Sequence, residues 1–163
     1  MSGVREWRFG ELDWPLPGLE RAEVVLVPVP FDLTSSWLKG ADKGPEALLD
    51  ASPNLEFYDI ETASEVYRRG IHVAQPIVAD DSASMVRASA DAFRDLLGRG
   101  KFPVALGGEH SITTGPVTAA LERYPNLSVL QLDAHGDRRD AYEGDRYSHA
   151  SVIARVKELG AKV

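Results

Sequence analysis

Cysteine is absent from all 163 residues. That absence removes disulfide frameworks, thiolate zinc sites and cysteine nucleophiles together. Long hydrophobic runs are lacking as well, since no stretch approaches the roughly 20 apolar residues of a membrane-spanning helix. The N-terminal decapeptide MSGVREWRFG carries charges where a secretory signal would be continuously apolar. The chain is therefore expected to be soluble and cytoplasmic. Positive charge is in deficit, with 18 Lys and Arg against 25 Asp and Glu, a net charge of −7. A negative surface attracts neither nucleic acid nor anionic membrane, so neither is expected as a partner. A small cationic ligand remains compatible with it. What is present, 44% hydrophobic and 26% charged residues, is the composition of one globular domain with a real core.

The hydrophobic pattern predicts alternating strands and helices. Residues 23–28 contain the run Val24-Val25-Leu26-Val27, typical of a strand buried on both faces, which Pro28-Val29-Pro30 is expected to end. A polar loop and a short helix over 45–50 follow, with Pro45 in its first turn. Residues 54–59 read as a short extended piece and 70–77 as a strand. Asp81 or Ser82 can cap a helix to Leu97, whose apolar positions Met85, Val86, Ala90, Phe93 and Leu96 recur at helical spacing. Residues 102–106 form the next strand, a helix capped by Ser111 or Thr113 runs to Arg123, and 127–132 is again strand-like. The last helix spans 149–159, and Ala161-Lys162-Val163 reads as the opening of one more strand. Such alternation predicts a parallel sheet covered on both sides, and the strand-like last residues are expected of a chain that stops partway through its fold.

Open parallel sheets bind ligands at the carboxyl ends of their strands. Two predicted strands deliver polar clusters there. One opens into Gly107-Gly108-Glu109-His110, the other into Asp133-Ala134-His135-Gly136-Asp137. In an extended segment alternate residues point the same way, so Asp133, His135 and Asp137 could converge on one point. Carboxylates and imidazoles without sulfur suit manganese, iron, zinc or magnesium. A carboxylate has two oxygens and can bridge two cations, which together lower the pKa of a shared water.

Gly107-Gly108-Glu109-His110-Ser111 and Asp133-Ala134-His135-Gly136-Asp137 resemble the first two signature motifs of the ureohydrolase family, which includes arginase and agmatinase. Pro30-Phe31-Asp32, Ser35-Ser36, Gly40-Ala41 and Gly44-Pro45 resemble its N-terminal loop and first helix. Asp140-Ala141-Tyr142-Glu143-Gly144 and Tyr147-Ser148-His149-Ala150-Ser151 are similar to the agmatinase branch. The resemblance implies an arginase-like three-layer α/β/α fold with a parallel sheet and a site for two Mn2+ ions. It implies that His110, Asp133 and Asp137 hold one ion, and that Asp133 bridges to a second, also bound by His135. It further implies hydrolysis at the guanidinium carbon of a small cationic guanidino substrate, agmatine to putrescine and urea, as in polyamine biosynthesis. His149 aligns with a histidine that shuttles protons, a role suited to a pKa near neutrality. Glu109 is expected to support the site or anchor its loop rather than bind metal, and Arg138 and Arg139 to be solvated or salt-bridged. Trp37 and Tyr58 are read as core or interface aromatics.

The family's third motif, S-x-D-x-D-x-x-D-P, does not occur in these residues. Its aspartates complete both metal shells, so the resemblance makes residues 1–163 the N-terminal portion of a single, truncated ureohydrolase domain. The isolated chain is expected to be inactive, and the full-length protein a trimer or hexamer. Two alternatives accompany this reading. One is a half-length, non-catalytic binding or complementing subunit. The other is the same hydrolase acting on guanidinobutyrate or arginine.

Overall fold

A computed structural model describes residues 7–10 and 17–163. The N-terminal decapeptide, expected to be no secretory signal, lies mostly outside the described residues. Three parallel strands form the sheet, β1 (Val24–Val29), β2 (Ile71–Val73) and β3 (Phe102–Gly107), in the order β2-β1-β3. Val24 sits opposite Ile71 on one side and Phe102 on the other, and pairing with β3 continues to Val29 opposite Gly107. β1 ends within Pro28-Val29-Pro30 as expected, at Val29 before Pro30. It passes through Pro28, whose carbonyl accepts a bond from Ile77 N at 2.9 Å, so only one ladder donor is lost there.

The two faces of β1 fill two cores. Val25, Val27 and Val29 pack with Met85, Val86, Phe93, Leu96 and Ile112 under helices α2 (Ser82–Gly98) and α3 (Thr114–Arg123). Leu26 packs with Leu49 of α1 (Gly44–Ala51) and with Val73 on the opposite face. Helices thus cover both sides of a parallel sheet, giving three layers, α/β/α, as the alternation of elements predicts. A third cluster of Val117, Val152, Ile153 and Val156 docks α4 (Val152–Glu158) against α3. Among the described residues no helix is long and apolar enough to cross a membrane.

Local signals account for α2 in detail. Asp81 caps it by accepting a hydrogen bond from Ser84 N at 2.8 Å. Gly115 lets α3 approach α2 closely: a Cβ there would stand 2.6 Å from the Val86 carbonyl oxygen.

Other expectations need correction. Residues 70–77 hold a strand only at Ile71–Val73, because Pro76 has no N–H and just Ala74 and Ile77 continue to bond β1. Residues 54–59 end a short 3-10 turn and reach a single antiparallel bridge, Asp59 with Ser64. Thr113 stands at the N-cap position of α3 but makes no side-chain cap bond, because a 3-10 turn over His110–Thr113 leads directly into the helix. Residues 127–132 do not form a laddered strand. Ser128 makes one parallel bridge to Lys162, while Leu130 and Leu132 are 84% and 90% exposed. Trp37 and Tyr58 are not core residues, being 91% and 54% exposed.

Candidate metal centre

At the carboxyl end of β3 the chain turns through Gly108 at φ +47°, with the Val29 and Phe31 carbonyls 2.6 Å from where a Cβ would sit. Glu109 N donates to Phe31 O at 2.9 Å, locking this turn to the loop that follows β1. The His110 ring then projects into an open cleft of about 650 Å³.

The second cluster reaches the cleft by a different route from the one expected. Residues 134 and 135 bend, and Asp137 takes a left-handed φ of +43°, so the segment is not extended. Asp133 Oδ1 accepts from His135 N at 2.8 Å, closing the bend. Asp137 O accepts from Ile153 N at 2.9 Å, and Ala150 O from Arg139 N at 3.1 Å, which ties the segment to the start of α4. Buried Arg155 adds a further tie, donating to Asp140 Oδ1 at 2.9 Å and Glu158 Oε1 at 2.8 Å.

These constraints bring His110, Asp133 and Asp137 together, with one ligand atom from each within 4.8 Å of the others. His110 Nδ1 lies 2.6 Å from Asp137 Oδ2 and 3.5 Å from Asp133 Oδ2. The second Asp133 oxygen turns the other way, 3.4 Å from His135 Nδ1. The His135 side chain is 82% exposed and stands outside the three-residue group, because the bend at 134–135 breaks the alternation that would have aligned it. The His135 amide holds the Asp133 carboxyl below the usual carboxylate range against a smaller opposing effect of burial, and the nearby His110 ring adds to this. Two carboxylates and an imidazole without sulfur fit a divalent ion of the manganese, zinc or magnesium type.

Glu109 is turned away from this group. Its carboxylate accepts from Thr34 N, from Thr34 Oγ1 at 2.8 Å and from Ser111 Oγ at 2.9 Å, as a loop anchor would. His149 lines the cleft, with Nδ1 3.2 Å from Thr34 Oγ1 and Nε2 3.2 Å from Ser36 Oγ. Its ring meets Tyr142 edge-on at 5.4 Å. Arg139 is not simply solvated; its guanidinium lies 5.0 Å above the Tyr142 ring. Thr34 was not among the residues singled out from the sequence. The one signal for it is a run of three hydroxyl residues, Thr34-Ser35-Ser36, after the β1 strand.

Fold and site together define an α/β protein with an oxygen- and nitrogen-donor centre at the carboxyl end of a parallel sheet. The chain belongs to the arginase family, whose family model matches residues 22–162. It is 43% identical over 148 residues to an N(1)-aminopropylagmatine ureohydrolase of Synechocystis sp., an alignment covering 85% of this chain and 48% of that protein. It is 34% identical to an agmatinase of Pyrococcus horikoshii, covering 96% and 55%. Among solved structures, the agmatine ureohydrolase of Thermoplasma volcanium superposes with a TM-score of 0.82 at 32% identity, covering 88% of this chain and 48% of that one. The chain spans about half the length of the curated relatives it matches.

Proposed function

We propose that this chain carries the N-terminal part of a manganese-dependent ureohydrolase domain that releases urea from a guanidino polyamine. The observation that carries the reading is the convergence of His110, Asp133 and Asp137 in one cleft, with the second Asp133 oxygen turned to His135. His110, Asp133 and Asp137 would hold one Mn2+, and Asp133 with His135 would reach a second. When bound, such ions lower the pKa of water and so supply a nucleophile near neutral pH.

The remaining work falls to the chain's own side chains. Asp133 and Asp137 make the floor of the cleft negative and favour a cationic guanidinium beside them. Tyr142, with Arg139 over its ring and His149 meeting it edge-on, forms a wall against which an aliphatic amine chain can lie. His149, which lines the cleft, would take a proton and return it to the departing amine as the guanidinium C–N bond breaks. Agmatine and its N(1)-aminopropyl derivative are the two substrates favoured, and the higher identity to the aminopropylagmatine enzymes inclines the choice to the latter.

The test is urea release by the protein translated from the complete reading frame containing this chain, supplied with Mn2+. The substrates are aminopropylagmatine, agmatine, guanidinobutyrate and arginine. Urea from the first two, and little from arginine, is the expected outcome. A folded, manganese-loaded protein that yields urea from none of the four removes the hydrolytic reading. It would leave the half-length binding or complementing subunit in its place.

A further inference from the structure

One chain of hydrogen bonds joins the loop after β1, the turn after β3 and the start of the last helical segment. Its directions are set by atoms with no choice. The Glu109 carboxylate can only accept, and it is 6% exposed. It takes the Thr34 amide at 3.1 and 3.2 Å, the Thr34 hydroxyl at 2.8 Å and the Ser111 hydroxyl at 2.9 Å. The single hydroxyl proton of Thr34 is therefore committed to Glu109. What remains on Thr34 Oγ1 is lone pairs. One accepts the backbone N–H of His149 at 2.9 Å, and the other faces His149 Nδ1 at 3.2 Å. An oxygen that has only lone pairs to offer requires a proton on the nitrogen it faces.

We infer that Thr34 and Glu109 are positioning residues that hold neutral His149 as its Nδ1–H tautomer, leaving Nε2 as the atom that exchanges protons in the cleft. Nε2 then presents its lone pair on the side of Ser36 Oγ, 3.2 Å away, and the Ser36 hydroxyl donates to it. The Ser36 hydroxyl also reaches the Tyr142 oxygen, to which it donates at 3.3 Å, and in the Nδ1–H form its single proton turns from there to Nε2. A solvated neutral histidine side chain prefers the opposite tautomer, with its proton on Nε2, so the arrangement reverses an intrinsic preference. Under the hydrolytic reading, Nε2 accepts a proton from the attacking water, Nδ1–H stays on Thr34, and Nε2–H returns the proton to the leaving amine. The ring need not turn between the two transfers. Only this last consequence rests on the proposed function.

Ring nitrogen NMR tests the tautomer directly, without metal or substrate. The protein translated from the complete reading frame is prepared metal-free with 15N-labelled histidine and recorded at a pH where the ring is neutral. The His149 signals are identified by their loss in His149→Asn. The expected pattern is a protonated-type Nδ1 and a lone-pair-type Nε2. In Thr34→Val, which keeps the side-chain shape and removes the hydroxyl, the two nitrogens should move together or exchange types; Thr34→Ser should restore the original pattern. Should Thr34→Val not fold, Glu109→Gln reads the same relay. The glutamine amide can donate to Thr34 Oγ1, freeing the hydroxyl proton to turn to Nδ1, so the pure Nδ1–H form should be lost. A His149 that is Nε2–H in the unaltered chain overturns the inference. So does one that stays purely Nδ1–H in the folded variant tested. Failure of urea release leaves the tautomer standing and so separates the two claims.

Discussion

His110 Nδ1 lies 2.6 Å from Asp137 Oδ2, although the two residues are 27 positions apart, one opening a 3-10 turn and the other in a loop. No spacing rule relates them. The Gly108 turn aims the imidazole and the left-handed backbone at Asp137 aims the carboxylate, and both must be in place for the pair to meet.

The first prediction concerns metal retention. Asp133→Ala should weaken Mn2+ binding more than Asp137→Asn, because Asp133 alone turns an oxygen to each histidine. Losses should exceed the roughly 10–100-fold typical of changes outside the ligand shell. His135→Ala should leave the tighter binding event nearly intact. Calorimetric titration of Mn2+ into each variant measures this, and equal losses in all three would contradict the arrangement.

Proton transfer supplies the second. In the protein from the complete reading frame, His149→Phe should lower turnover by about 10²–10⁴-fold, the usual contribution of a placed acid–base group. Manganese content should stay near normal, since His149 stands outside the group of candidate ligands. Metal analysis beside the urea assay decides the matter; a parallel fall in both would give His149 a metal-holding role instead.

Asp32 makes a stability prediction with a definite sign. Burial alone would raise its carboxyl, but the Ser35 hydroxyl, the Gly40 and Ala41 amides and Lys39 together hold it below its ordinary 3.8. A carboxyl lowered in the folded state contributes its stability fully above the unfolded value and loses it as pH falls through the folded one. Asp32→Ala should therefore destabilise by about 1–3 kcal/mol at neutral pH, the range for buried polar groups left without a partner. The gap from the unaltered chain should narrow as pH drops below 3.8. Chemical denaturation across that pH range reads it, and a gap that widens in acid would reverse the sign.

Gly115 sets two effects against each other. Alanine favours a helix over glycine by about 1 kcal/mol. Against this, its methyl would stand 2.6 Å from the Val86 carbonyl and 2.7 Å from Ser89 Cβ, and such overpacking costs about 1–3 kcal/mol. The clash involves backbone, which yields least, so Gly115→Ala should lower the denaturation midpoint. A midpoint that rises would mean that α2 and α3 can separate freely.

The parts legible in the sequence were those governed by near neighbours. The apolar run of β1, the helical spacing of α2 and its Asp81 cap, and Pro45 in the first turn of α1 each depend on a few adjacent residues. The two clusters after predicted strands also located the cleft, because a parallel sheet places such loops at one end. Other features depended on residues far along the chain. Residues 127–132 have the composition of a strand, yet a strand exists only through its ladder, and among the described residues one bridge to Lys162 is all it has. The bend at 134–135 is shaped in part by bonds from Asp137 and Arg139 to the start of α4, and that bend carried His135 out to solvent while Asp133 and Asp137 stayed together. Thr34 offered no pattern to read, since its role arises where three separate segments meet. Residue type and order were enough to say which chemistry this chain could hold. Which atoms face one another was decided by packing, because hydrogen-bond direction and ligand geometry are properties of positions in space.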